Sequence, residues 1–211
     1  MPRTRPVAET LVGDVDGDGR RDRVSLRIAP RARLACGVLL VARTGRGTQM
    51  ARVHYDRISP GTAGDLVRYE RFPLLNGLYR LDGRRGLEIV VTAEEGASNS
   101  FLQIFAVRSG RLIRLRPGRA GNLGEISWGG FAQASQGIDC DGGLIRVTAF
   151  YVLRDRWRLT RTFYRVESTR LGLVRSERLR ATARTRKKYE HETSQLRPFP
   201  SCRGVAAKRQ V

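Results

Sequence analysis

The chain is poor in the residues on which most sequence-legible active sites depend. It has two histidines, His54 and His191, and three cysteines, Cys36, Cys140 and Cys202, none in a Cys-x-x-Cys pair. A zinc centre built on paired His and Cys ligands is therefore not expected. There is no Gly-x-Ser-x-Gly elbow, no P-loop and no dinucleotide-binding glycine fingerprint. No apolar run approaches the ~20 residues of a membrane-spanning helix. The opening residues, Met1-Pro2-Arg3-Thr4-Arg5-Pro6, contain no apolar core of a signal peptide. A cytosolic home, a removed signal and an upstream start are all compatible with that opening. Lysine is scarce as well: only Lys187, Lys188 and Lys208 contribute to 40 basic residues, so arginine supplies nearly all of the +20 formal charge.

Acids are outnumbered two to one, 20 against 40. A pI near 11.4 attracts anionic polymers such as nucleic acid, acidic cell-wall glycans and lipid surfaces. An arginine excess of this kind also arises from GC-rich coding, and the aromatics are not interleaved with the basic residues as in an RNA-binding sheet. Nucleic acid is thus the weaker expectation among these partners.

Against this basic background one stretch stands out. Asp14-Val15-Asp16-Gly17-Asp18-Gly19-Arg20-Arg21-Asp22 sets four carboxylates at loop positions 1, 3, 5 and 9, with glycine at 6. This spacing wraps oxygen ligands around a hard cation, with the carbonyl of Arg20 at position 7. Calcium suits such a cage better than magnesium, which keeps its waters and a tight octahedron. Position 12 is Ser25 rather than a bidentate glutamate, and the residues after Asp22 alternate polar and apolar like a strand, so the loop is not an EF-hand. The competing reading is an acidic glycine-rich turn that binds nothing.

The remainder reads as short strands separated by glycine-rich turns, an antiparallel all-β chain. Strands are expected near 23–29, 34–43, 50–55, 87–91, 101–107, 112–115, 144–153, 157–166 and 171–175. Residues 116–130 are expected as a loop. Three units of similar outline follow one another, about 10–60, 73–118 and 126–178. Each has an Asp/Gly turn, at Asp14, at Asp82-Gly83 and at Asp141-Gly142-Gly143, and only the first turn keeps a set of carboxylates. Residues 1–9 form a basic leader expected to be disordered, and 179–211 a basic tail with a short helix near 180–190.

Other candidates for chemistry are weaker. His54 and His191 lack a partner pattern. Glu94-Glu95 lie in an expected turn, where solvated acids are common. Trp128 and Trp157 are read as packing residues rather than a sugar platform. Three cysteines allow three single pairings. Cys140–Cys202 is favoured because both lie in loop-like segments, whereas Cys36 falls in an expected strand; three free thiols are the alternative.

The acidic loop followed by a strand resembles the FG-GAP/VCBS repeat, a β-propeller-like unit whose acidic turn binds calcium. The second unit, Gly86-Leu87-Glu88-Ile89-Val90-Val91 with Gly96-Ala97-Ser98, is similar to later repeats of small exported actinobacterial proteins of that type. The resemblance covers about 10–178, and its specific part is the nine-residue loop. It implies calcium ligands at Asp14, Asp16, Asp18, Asp22 and the Arg20 carbonyl, and an extracellular or cell-envelope location. It also implies a non-enzymatic module that acts in binding or as a structural part. Three units imply a partial or open assembly of blades. A basic module for anionic polymers, with a metal-free acidic turn, is the alternative function.

Overall fold

The computed structural model describes residues 5–6, 10–28, 38–53, 75–95, 99–117, 126–131, 134–153, 156–180 and 198–206. Among them every regular element is a strand.

The first sheet holds β1 (Arg5–Pro6), β2 (Leu11–Gly13), β3 (Asp22–Ile28), β4 (Val38–Thr44) and β5 (Gly47–Arg52). All of its pairings are antiparallel. Along β3, Val24 and Leu26 are fully buried while Arg23 is exposed, the period-two alternation of a sheet with one face on the core. The pairing of Arg5 and Pro6 with Arg27 and Ile28 places part of the expected disordered leader in the sheet.

The second sheet contains β6 (Leu75–Tyr79), β7 (Glu88–Glu95), β8 (Asn99–Arg108), β9 (Arg111–Pro117), β10 (Ile126–Phe131), β11 (Ala134–Asp141), β12 (Leu144–Leu153), β13 (Arg156–Val166), β14 (Arg170–Arg180) and β15 (Gly204–Ala206). Its order is β10-β11-β12-β13-β14-β9-β8-β7-β6-β15, and β10 also pairs with β8. The pairings therefore form a circuit from β8 through β9, β14, β13, β12, β11 and β10 back to β8. Strand β8 meets β9 along Ile104–Arg108 and β10 along Asn99–Leu102, while β7 overlaps both stretches. A strand has two edges, so β9 and β10 share one of them in succession. That split curls the sheet. Among the described pairings, the β14–β9 contact alone is parallel.

Two apolar clusters hold the layers together. One joins Leu11, Val15, Val24, Leu26, Leu40 and Val53 of the first sheet region to Leu78, Ile89, Val91, Phe105 and Val107. The other fills the curled region with Val90, Leu102, Ile104, Leu115, Ile138, Ile145, Tyr164, Leu171 and Phe199. Strands β7 and β8 lie between the two and are covered on both faces. This explains the unbroken apolar run Ile89-Val90-Val91 and the buried stretch from Leu102 to Val107.

The structure corrects several expectations. Residues 116–130 are not all loop, because Ile126–Phe131 is strand β10. The third expected turn differs in form from the first two. Its Asp141-Gly142-Gly143 segment is a tight hairpin between β11 and β12, with φ of 57° at Gly142 and 80° at Gly143, the backbone of a two-residue turn with no room for a ligand loop. Nor is the C-terminal region a free tail throughout. Strand β14 continues to Arg180, and residues 198–206 are locked down. Phe199 is buried and stacks on Tyr79 at 5.3 Å, β15 pairs with β6, and Cys202 is bonded to Cys140. Apolar burial and a covalent link outweigh the basic composition of that segment. The expected helix near 180–190 lies almost wholly outside the described residues.

Candidate cation site

The acidic loop joins β2 to β3, and its carboxylates first organise its own backbone. Asp14 accepts from Gly17 N–H at 2.7 Å through Oδ1 and from Gly19 N–H at 3.0 Å through Oδ2. Asp16 Oδ1 accepts from Asp18 N–H at 3.1 Å, and Asp18 Oδ1 from Arg20 N–H at 2.8 Å. Asp22 Oδ2 accepts from Val15 N–H at 2.8 Å and Asp16 N–H at 3.3 Å. Gly17 and Gly19 take φ of 78° and 85°, which turns the chain tightly enough to bring these groups together. Fully buried Val15 pins the loop to the core.

Asp14, Asp16 and Asp18 form a cluster whose ligand oxygens lie within 4.8 Å of one another. Asp22 does not join that triad; it sits buried beside it as the residue that fixes the loop's entry. Two oxygens in this assembly are buried without a hydrogen-bond partner, Asp16 Oδ2 and Asp22 Oδ1. The Asp16 side chain is only 2% exposed, and among the described residues the cation paired with it is Arg46, whose Nε stands 4.0 Å from Oδ2. The Asp22 carboxyl is pushed above its ordinary value, mainly by burial and further by the charges of Asp16 and Asp18, against the opposing Val15 and Asp16 N–H groups. A carboxylate in these surroundings favours either a proton or a nearby cation.

The loop between β6 and β7 reproduces part of the arrangement, with Arg80 standing where the first loop has Asp14. Leu81 N–H donates to Glu88 Oε2 at 2.9 Å, as Val15 does to Asp22 Oδ2. Arg84 N–H donates to Asp82 Oδ1 at 2.8 Å, as Asp18 does to Asp16 Oδ1. Gly83 has φ of 71°, matching Gly17, and Leu81 is buried like Val15. In this second loop the two remaining oxygens have a partner. Nη2 of Arg108 lies 2.7 Å from both Asp82 Oδ2 and Glu88 Oε1. These oxygens are the counterparts of Asp16 Oδ2 and Asp22 Oδ1. One loop thus uses a fixed guanidinium where the other presents a pair of buried carboxylate oxygens without a hydrogen-bond partner.

The two loops also touch. Leu87 N–H donates to Asp14 O at 2.9 Å. Gly86 has φ of 96°, and a Cβ there would lie 3.1 Å from Val15 O.

The second turn therefore keeps two acids, Asp82 and Glu88, where a turn stripped of its carboxylates was expected. Their spacing equals that of Asp16 and Asp22, a signal present in the sequence. Arg108 carried no such signal, since it reaches the loop only through the pairing of β7 with β8. At the third turn Asp139 serves the C-terminal latch instead. Its Oδ1 accepts from Cys140 and Ser201 N–H, each at 2.9 Å, and Arg146 pairs with Asp141 at 3.2 Å. His54, His191 and Cys36 lie outside the described residues, as do the side chains of Trp128, Trp157, Glu94 and Glu95. The backbone of Glu94 and Glu95 ends β7 rather than forming a turn.

No protein-family model matches the chain, and no curated protein or solved structure does so either.

Proposed function

We propose that the chain is a non-catalytic β module of FG-GAP/VCBS type in which the 14–22 loop holds calcium. The observation that carries the reading is the pair of loops that share two matching backbone-to-carboxylate bonds. Where the second loop neutralises two buried carboxylates with Arg108, the first has the same two oxygens without a hydrogen-bond partner, next to two further aspartates. An all-oxygen donor set of Asp14, Asp16 and Asp18, completed by the Arg20 carbonyl and with Asp22 behind it, is hard and flexible enough for calcium. Each carboxylate oxygen that accepts an N–H retains a second lone pair for a cation. Bound calcium would staple β2 to β3, and its binding free energy would add to that of folding. In this reading β2–β5 and β6–β9, both four-stranded meanders with the loop after their first strand, are blade-like units. The module is exported, acting in binding or as a structural part, and the Cys140–Cys202 disulfide accords with an oxidising compartment.

The experiment is isothermal titration of the purified full chain with calcium and with magnesium. Saturable calcium binding, weaker for magnesium and abolished in Asp16→Asn, is the expected result. Heat-silent titrations with both ions, or an unaltered isotherm in Asp16→Asn, remove the reading. The basic surface remains the competing basis for function. Under that alternative the protein is retained on heparin in a salt-dependent manner and ignores calcium.

A further inference from the structure

The comparison of the two loops singles out a residue that the ligand spacing does not. Arg23 pairs with Arg43 and Ile89 with Phe105. Continuing each register by one pair sets Asp22 opposite Thr44 and Glu88 opposite Ala106. Arg46 and Arg108 each stand two residues further along, at the same register offset from their loops. Arg108 is 18% exposed and bonds both acids at 2.7 Å. Arg46 belongs to the shorter β4–β5 hairpin and lies on its turn. It is 62% exposed and, among the described residues, its ion-pair contact is Asp16 Oδ2 at 4.0 Å. That distance makes an ion pair but no hydrogen bond. The turn itself is held against the loop: a Cβ on Gly45 would lie 3.1 Å from Asp18 Oδ2, with Arg20 also alongside.

We infer that Arg46 is a built-in competitor at the cation site: it and a divalent cation contend for Asp16, and binding of the ion displaces the Arg46 side chain from the loop. The inference rests on the cation-site reading above. A guanidinium and a divalent ion cannot both sit against one buried carboxylate oxygen without strong repulsion. Arg108, with two charge-assisted bonds and little exposure, is a fixed cation. Arg46, with one long contact and a solvated side chain, is an exchangeable one. Calcium occupancy then reaches the β4–β5 turn as a change in where Arg46 points, and the site's affinity is set below what its carboxylates alone allow.

The test is calcium titration of wild type, Arg46→Gln and two controls at comparably exposed loop arginines, Arg21→Gln and Arg84→Gln. Unit charges 4 Å apart in water interact by ~1 kcal/mol, about fivefold in affinity. Arg46→Gln should therefore bind calcium about fivefold more tightly, with the controls within about twofold of wild type. In ¹⁵N spectra the Arg46 Nε–Hε signal should move along the wild-type titration with the calcium midpoint, and stay still in Asp16→Asn. Equal affinity of wild type and Arg46→Gln overturns the competition and leaves the cation site standing. Equal tightening in all three variants also overturns it, because a general charge field then suffices. Absence of calcium binding in every variant rejects the cation site itself.

Discussion

Replacing Arg108 by methionine, which preserves much of the volume, should be among the most damaging single changes in this protein. Its Nη2 is 2.7 Å from both Asp82 Oδ2 and Glu88 Oε1, and both acids are buried. Removal leaves two buried carboxylates facing each other, with the exposed Arg84, its Nε 3.9 Å from Asp82 Oδ2, as the remaining nearby cation. Breaking a buried pair by deleting one partner costs ~3–5 kcal/mol, because the surviving charge is left uncompensated. For a chain of this size each kcal/mol corresponds to ~2–4 °C, so the melting temperature should fall by about 6–20 °C. Urea denaturation at neutral pH measures the loss as a lower midpoint at unchanged slope. The pH dependence gives a second check. Glu88 is held above its ordinary value of 4.5, by burial first and then by Asp82, while Leu81 N–H and Arg108 pull it down. A carboxyl raised in the folded state binds its proton more tightly there than when unfolded. The stability it contributes therefore declines as pH rises from about 4.5 through the raised value. Without Arg108 the raise is larger and the decline steeper. The penalty of Arg108→Met should thus be smallest in acid and grow toward neutrality, and Glu88→Gln in the same chain should recover part of it. A penalty under ~1 kcal/mol at neutral pH, or one independent of pH, would refute the account of Arg108 as the second loop's structural cation.

Gly86→Ala should destabilise more than Gly19→Ala in thermal melts. Both positions have positive φ, at ~1–2 kcal/mol for an L side chain, but only at Gly86 does a Cβ also crowd the Val15 carbonyl. Reduction of Cys140–Cys202, which closes a sequence separation of 62, should cost ~2–5 kcal/mol and expose 198–206 to proteolysis. Phe199→Ala should cost ~3–5 kcal/mol by emptying its place in the curled core, even with the disulfide intact. Losing the disulfide as well should add less than the sum of the two effects, because both changes release one segment.

Local signals were the legible ones. The carboxylate spacing of 14–22 depends on neighbours within nine residues, so the Asp14, Asp16 and Asp18 cluster could be anticipated from sequence. The place of Asp22 beside that cluster rather than in it was not legible, because it is set by which of its oxygens receives the Val15 N–H. The expected strands near 23–29, 144–153 and 157–166 match β3, β12 and β13 closely, and the apolar character of β7 and β8 follows from burial of both of their faces. Strand β10, with glycines at 129 and 130 and φ of 90° and 137°, looked like a loop because its composition is that of one; pairing to β8 and β11 makes it a strand. Arg108, Arg46 and the Asp139 latch depend on register and on contacts distant in sequence, which composition and spacing do not encode. The Cys140–Cys202 pairing was reached by elimination. The structure adds its reason: Phe199 N–H bonds Ile138 O and Ser201 N–H bonds Asp139, bringing the second cysteine to the first.

The central claim, that the 14–22 loop is a calcium staple, is tested most directly by thermal melting of wild type and Asp16→Asn, each in excess calcium and in EGTA. At a calcium concentration about 100-fold over Kd the ion contributes ~2.7 kcal/mol to the folded state, a rise of about 5–10 °C. The account predicts that rise in wild type and its absence in Asp16→Asn. Identical melting temperatures for wild type with and without calcium would contradict it.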